Sequence, residues 1–329
     1  MPLVSVIVPC YNEQATIRKL LEAIYSQTYP RAEVEVIIAD GRSTDHTREE
    51  IEAFRREYPD LCVRIVDNPQ RAIPSGLNRA MEAARGEYIV RLDAHSVPQS
   101  DYLERSLQAL EDGLGENVGG VWDIRPGNSG WAARSIAAAA SHPLAVGDAR
   151  YRYTNQAGLV ETVPFGAYRA DLIRRIGPYD ETLLTNEDYE FNARIQKAGG
   201  HIWLDPRIRS VYYARSSFGD LARQYWRYGF WKLRMLRRYP ATLRWRQALP
   251  PLFVLSLVVL AMLAILWPVA RILLLIEVLA YGIILLLAGA LAALKRRDAA
   301  LFAGLPLAIA VMHLSWGSGF LWSAIRCKL

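Results

Sequence analysis

From residue 249 to residue 325 the sequence is almost unbroken in apolar side chains, with runs such as "LFVLSLVVLAMLAILW" and "ILLLIEVLAYGIILLLAGALAAL". About 20 consecutive apolar residues form a helix long enough to cross a bilayer. Hydrocarbon admits only elements that satisfy their own backbone, so such a segment folds as a helix. Three spans fit, at 249–267, 270–294 and 299–322. Residues 1–247 have an ordinary soluble α/β composition, so the chain divides into a soluble part and a membrane part.

The charge pattern supports that division. The net charge is +6, a value that also suits nucleic-acid binders, but the cations are concentrated beside the apolar runs. Arg223, Arg227, Lys232, Arg234, Arg237, Arg238, Arg244 and Arg246 precede the first span, and Lys295, Arg296 and Arg297 separate the second from the third. Tyr225, Trp226, Tyr228, Phe230, Trp231, Tyr239 and Trp245 are mixed among them. Basic and aromatic residues next to a span form an interfacial belt on anionic lipid, and no nucleic-acid partner is expected. The stretch 218–240 reads as an amphipathic helix lying in the interface. The positive-inside rule puts both basic segments in the cytoplasm, and three spans then leave Arg326–Leu329 outside. The first residues run directly into "PLVSVIVPCYNE" without a basic leader, so no signal peptide is expected. Cys10, Cys62 and Cys327 are too few and too scattered for a disulfide framework or a zinc site.

The soluble part alternates strand and helix. Apolar runs predict strands at 3–9, 34–40, 62–67 and 88–92, and helical periodicity predicts helices at 13–27, 46–58 and 73–85. Repeated βα units of this length predict a parallel sheet with helices on both faces, and ligands of such sheets sit outside the carboxyl ends of the strands. Each predicted strand ends in polar chemistry: Pro9–Glu13, Asp40–Asp45, Asp67–Arg71 and Asp93–His95. Several carboxylates on one sheet edge are costly unless a cation or ligand donors answer them. Further along, a strand is expected near 118, an alanine-rich helix and turn at 129–147, and a helix at 185–200.

Local readings of these segments are structural as well as functional. Asn12 suits a helix N-cap, Thr44 and Asp45 suit the cap of the next helix, and Thr185 with Asp188 has the spacing of a capping box. Asp93 and His95 are two apart in an extended chain and can face one way. A carboxylate and an imidazole so placed suit a shared divalent ion or a metal-bound phosphate, and the imidazole favours Mn²⁺ over Mg²⁺. His95 hydrogen-bonded only to the backbone is the other reading.

Taken in order, "VSVIVPCYNE", "ADGRSTDHT", "RLDAHS", "NEDYE" and "QYWRYG" resemble the inverting family 2 glycosyltransferases, and among them the membrane-anchored bacterial exopolysaccharide glucosyltransferases of the succinoglycan-biosynthesis type. The resemblance implies a GT-A nucleotide-diphospho-sugar transferase domain, a Rossmann-like mixed sheet, at 1–217. Amphipathic interfacial helices at 218–247 and a three-helix transmembrane domain at 248–329 would follow. It implies a UDP-sugar pocket built from Pro9, Tyr11, Glu13, Asp40, Arg71, Asp93, Phe165 and Gly166. In it Asp40 accepts the uracil N3–H, and Ala39 stands where the family has its first paired aspartate. Asp93 and His95 replace the family's metal-binding Asp-x-Asp, with Mn²⁺ or Mg²⁺ as cofactor. Asp188 is the implied base, Glu187 orients the acceptor, and Gln224 and Arg227 touch the diphosphate or acceptor, with Tyr228 in place of the family's tryptophan.

The implied reaction moves a hexose, glucose first, to a hydroxyl of a polyprenyl-diphosphate-linked saccharide at the cytoplasmic face of the inner membrane. Three other functions stand beside it. Transfer to polyprenyl phosphate needs less of a base, which the Glu-Asp pair argues against. A processive polysaccharide synthase needs a translocation channel, which three short-looped spans and the Tyr228 substitution argue against. A non-catalytic nucleotide-sugar-binding scaffold would not need both Asp93 and Asp188.

Overall fold

A computed structural model describes residues 3–326. The chain falls into two compact units: one of Met1–Asp123 with Tyr153–Tyr212, the other of Ile124–Arg152 with Tyr213–Leu329.

The first unit begins with β1 (Val4–Cys10), α1 (Ile17–Tyr25), β2 (Val34–Asp40), α2 (Thr47–Glu57), β3 (Cys62–Asp67), α3 (Ile73–Ala83) and β4 (Tyr88–Arg91). These follow the predicted alternation closely, because β1 and β2 are buried at every position and read as continuous apolar runs. β3, β2, β1 and β4 lie side by side in that order, and their pairings are parallel. Register aligns Cys10 with Asp40 and Asp40 with Asp67, so the polar strand ends meet at one edge as the sequence predicts. Short β5 (Val97–Pro98), α4 (Tyr102–Glu111) and β6 (Asn117–Pro126) come next.

The second unit takes α5 (Trp131–Ala140) and α6 (Pro143–Val146). The chain then returns to the first unit with β7 (Gly158–Leu159), β8 (Ala167–Arg169), α7 (Leu172–Ile176), α8 (Glu187–Lys197) and β9 (Ile202–Ala214). β8 pairs antiparallel with both β4 and β6, which makes the sheet mixed. Its order is β3-β2-β1-β4-β8-β6-β9-β5, with β7 on β9. The core packs Val6, Val8, Ile38 and Val90 against Ile17, Leu21, Ile51 and Phe54.

The second unit continues with α9 (Phe218–Arg238), α10 (Trp245–Leu263), α11 (Pro268–Arg296) and α12 (Ala300–Arg326). The last three are each long and apolar enough to cross a membrane. Of the expected outer tail, Cys327–Leu329 lie outside the described residues.

Three capping expectations fail. Asn12 is not an N-cap, since α1 starts only at Ile17. Its side chain instead accepts from the Thr44 N–H at 2.8 Å and ties two strand-end loops together. Thr44 does not cap α2; Asp45 steadies its start by accepting from the Thr47 N–H at 3.1 Å. Thr185 makes no capping box either: α8 begins behind Asn186, a left-handed residue without a side-chain cap bond, and Thr185 donates to the Leu184 carbonyl.

Candidate functional site

Among the described residues, six non-glycine residues have positive φ, and five of them stand in the loops of one sheet edge: Asn12, Arg42, Arg71, Phe165 and Asn186. Such conformations are unfavourable for residues other than glycine and asparagine. Their concentration marks a region whose shape is imposed by the surrounding fold.

The loops after β1, β2 and β3 are laced together. Asp40 is fully buried and accepts from the Ser43 hydroxyl at 2.6 Å and from Arg48 Nε. Arg48 Nη2 donates to Asp67 at 2.7 Å, so one guanidinium joins the ends of β2 and β3. Asp40 and then Asp67 hold the Arg48 pKa above its ordinary value. The Glu13 N–H donates to Thr47 Oγ1 at 2.8 Å. Tyr11 is exposed, with the Arg71 guanidinium 5.4 Å from its ring centre. The two form an open aromatic-cationic corner suited to a planar base and a phosphate. A Cβ on Gly41 would stand 3.0 Å from the Tyr11 ring, so glycine permits this packing. Pro9 lies within β1, in register with Ala39 of β2. Burial, then the Asp40 and Glu13 charges, push the Cys10 thiol pKa well above its usual value, so this cysteine is inert.

At the centre of the edge stands Arg91, the last residue of β4, whose side chain is only 3% exposed. Its Nη2 donates to Asp93 at 3.2 Å and to Glu187 at 3.0 Å, and its Nη1 to Asp188. Three candidate carboxylates therefore converge on one buried cation. Burial works against that charge, but Asp93 and Glu187 outweigh it and hold the arginine pKa above its ordinary range. The backbone carbonyl of Gly166 accepts from the Arg91 N–H at 3.0 Å, which fixes the neighbouring Phe165–Gly166 turn. Phe165 is buried, its carbonyl accepts from Tyr102 Oη at 3.0 Å, and its ring lies 5.9 Å from that of Trp122.

His95 reaches the loop after β1. Its Nδ1 stands 3.1 Å from Glu13 Oε1, which links the loops after β1 and β4. The Ser96 hydroxyl and N–H both donate to the Asp93 carbonyl, at 2.7 and 2.9 Å, and shape the turn that carries the carboxylate. Among the described residues no three metal-ligating side chains cluster. The donor set of one carboxylate with an adjacent imidazole nevertheless fits a divalent ion that takes its remaining ligands from phosphate and water, as Mg²⁺ commonly does.

Gln224 and Arg227 lie on α9 in the second unit, where Gln224 donates to the Tyr228 hydroxyl at 2.9 Å and Arg227 is exposed. Two arginines are absent from the sequence reading, Arg91 and Arg48. Arg91 has a sequence signal, a charge inside the apolar run "YIVRL". Arg48 has none, because it sits among other charges of an amphipathic helix.

The site is thus a mixed α/β sheet with carboxylates and arginines gathered at its strand ends. The family model described as glycosyl transferase family 2 matches residues 5–177. The succinoglycan biosynthesis protein ExoA of Rhizobium meliloti is 32% identical over 96% of this chain and 93% of its own length. A Methanococcus voltae protein named dolichyl N-acetyl-alpha-D-glucosaminyl phosphate 3-beta-D-2,3-diacetamido-2,3-dideoxy-beta-D-glucuronosyltransferase is 29% identical over 74% of this chain and 77% of its own length. The mannosyltransferase PcManGT of Pyrobaculum calidifontis, solved with GDP-Man and Mn²⁺, superposes with a TM-score of 0.61 at 23% identity, over 95% of this chain and 87% of that one. This last likeness shows the GT-A fold. The chain belongs to glycosyltransferase family 2 and is a glycosyltransferase.

Proposed function

We propose that this glycosyltransferase moves a hexose, glucose in the first instance, from a UDP-sugar to a hydroxyl of a polyprenyl-diphosphate-linked saccharide at the cytoplasmic face of the inner membrane. The observation that carries the reading is the convergence of Asp93, Glu187 and Asp188 on Arg91.

Inverting transfer is one in-line displacement. The acceptor hydroxyl attacks the anomeric carbon opposite the leaving nucleoside diphosphate, and its proton must be taken as the bond forms. Asp188 is the candidate base: it is partly exposed at the start of α8, with the Arg91 guanidinium beside its carboxylate. A positioned base of this kind contributes about 10²–10⁴-fold. Glu187, nearly buried, orients the acceptor side of the site. Tyr11 and Arg71 receive the base and diphosphate, Asp40 the uracil edge, and Glu13 the ribose. Asp93, with His95 beside it, would hold Mn²⁺ or Mg²⁺, which supplies charge neutralisation for the departing diphosphate. Gln224 and Arg227 are proposed to engage the diphosphate or acceptor, and Phe165 with Gly166 to floor the sugar pocket.

The names of two relatives, one for succinoglycan biosynthesis and one for a dolichyl-phosphate-linked sugar acceptor, support a glycan-assembly role with a lipid-linked acceptor. The test is UDP release by the full chain in detergent or nanodiscs, across a panel of UDP-sugars with Mn²⁺. Each donor is assayed with a lipid-linked saccharide, with polyprenyl phosphate, and with neither. Release that depends on the lipid-linked saccharide is expected. Release with polyprenyl phosphate alone would favour the phosphate acceptor, and a growing polymer would favour a synthase. No release under any condition would favour a scaffold.

A further inference from the structure

A chain of buried polar side chains joins β6 to α8 and to the segment that precedes β8. Asn117, the first residue of β6, donates from Nδ2 to Asn192 Oδ1 at 2.7 Å. Asn192 Nδ2 in turn donates to Thr162 Oγ1 at 2.9 Å. All three residues are buried. Apolar side chains would occupy the same space without the cost of taking amides out of water. A hydrogen-bonded network in a core instead admits one arrangement of its members.

One end of the chain is the helix of the candidate base. Asp188 and Asn192 are four apart on α8 and so share a face. Next to Asn192, the Phe191 ring stacks on Tyr179 with centres 4.4 Å apart, and it lies 5.2 Å from the ring of Tyr168. The register of β6 on β8 sets Asn117 opposite Tyr168.

The other end is the segment from Thr162 to Gly166. Gly119 of β6 makes room for it, since a Cβ there would overlap the Val163 side chain. The segment closes in the Phe165–Gly166 turn, where Phe165 holds a φ of 50°. Asn117 Oδ1 lies so close over Gly166 that a Cβ would overlap it. Among the described residues this buried oxygen has no hydrogen-bond partner. A left-handed phenylalanine and a buried acceptor without a donor are both unfavourable, and they persist where the surrounding fold imposes them.

We propose that Asn117, Asn192 and Thr162 are positioning residues for the transfer. They set the face of α8 that carries Asp188 at a fixed separation from the turn that floors the sugar pocket, and so hold the base in line with the anomeric carbon. The proposal rests on the reading of Asp188 as base and of Phe165–Gly166 as floor. Being buried, the three residues act through Gly166 and α8 and not on the substrate itself. The nucleotide is assigned to the loops after β1, β2 and β3, which the chain does not include. Loss of the chain therefore weakens what the sugar contributes to binding and leaves what UDP contributes.

The test compares three variants of the full chain in nanodiscs. Thr162→Val removes the hydroxyl at nearly constant shape, Asn192→Leu removes both amide bonds, and Thr162→Ser keeps the hydroxyl. Calorimetry with Mn²⁺ measures binding of UDP and of UDP-glucose, UDP release with a lipid-linked saccharide gives kcat, and thermal unfolding reports stability. In Thr162→Val and Asn192→Leu, UDP affinity is expected to stay within about 2-fold of wild type. The ratio of UDP-glucose to UDP affinity should fall by about 5–10-fold, the scale of one hydrogen bond. The kcat should fall by about 10–10²-fold, the scale of a misplaced catalytic group. Thr162→Ser should keep both. A wild-type ratio and kcat in Thr162→Val, whatever its stability, would overturn the proposal and leave the donor reading in place. Wild-type protein that binds neither UDP nor UDP-glucose would overturn the donor reading, and the proposal with it.

Discussion

Arg91 Nη2 donates to Glu187 Oε1 at 3.0 Å, across 96 positions of chain, and joins the end of the strand that carries Asp93 to the helix that carries Asp188. Removing one partner of a buried charge group leaves the others uncompensated, and breaking such a pair costs about 3–5 kcal/mol. Lysine keeps the charge but loses the planar fork that reaches several carboxylates at once. Arg91→Lys is therefore expected to fold and to lose kcat by about 10²-fold, on the scale of a misplaced catalytic group. Arg91→Ala is expected to fail at the level of stability. Steady-state kinetics with thermal unfolding of both variants checks this.

Asp188→Asn keeps the shape of the side chain and removes its basicity. UDP binding by calorimetry is expected to stay within a few-fold of wild type while turnover falls by about 10²–10⁴-fold. Turnover close to wild type would remove Asp188 from the role of base. Glu187→Gln is expected to raise KM for the acceptor more than it lowers kcat.

The 3.1 Å approach of His95 Nδ1 to Glu13 gives the imidazole a partner other than a metal. If the ring also ligates the cation, activity with Mn²⁺ exceeds that with Mg²⁺, and His95→Asp moves the preference toward Mg²⁺, because a carboxylate is the better ligand for the harder ion. An unchanged preference in His95→Asp, with activity lost in Asp93→Asn, would make Asp93 the metal residue and His95 a brace for Glu13.

Gly229 and Gly282 make a matched pair. A side chain at Gly229 has no space against α12, whereas nothing lies within 4 Å of one added at Gly282. Gly229→Leu is expected to cost about 3 kcal/mol, the upper range for overpacking, and to lower the unfolding temperature in detergent. Gly282→Leu should leave that temperature nearly unchanged.

Glu35, buried in β2, accepts from Ser5 Oγ at 2.6 Å, the Arg85 N–H at 2.7 Å and Arg64 Nη2 at 2.6 Å. Burial opposes its charge, but Ser5, Arg85 and Arg64 together hold its pKa below the ordinary carboxylate value. A carboxylate lowered on folding stabilises the protein at all pH values above its unfolded pKa, and that stabilisation disappears as pH falls through the folded pKa. Glu35→Gln is expected to cost about 2 kcal/mol at pH 7, the scale of a broken charged hydrogen bond. Its deficit should shrink in denaturant titrations taken below pH ~4.

Much of this protein is legible from local pattern. The βα alternation, the four polar strand ends and the apolar helices follow from periodicity and run length, because a strand buried on both faces and a helix in lipid each need continuous apolar sequence. The order of the motifs carried the family. The capping errors at Asn12, Thr44 and Thr185 have one cause: those side chains satisfy partners that a linear reading does not see, such as the Thr44 N–H reached by Asn12 from another loop.

What the chain determined by itself was therefore the elements, the edge on which polar residues gather, and which helices are apolar enough for a membrane. Tertiary structure decided which charges neutralise one another and which apolar helix is covered by protein. A buried arginine is stable only where carboxylates from distant segments reach it, and Arg91 finds them on β4's own turn and on α8. An apolar run does not say how much of it protein covers, and α12 packs against α5, α9, α10 and α11. Both outcomes depend on what the fold places beside a residue, a quantity that composition and periodicity do not contain.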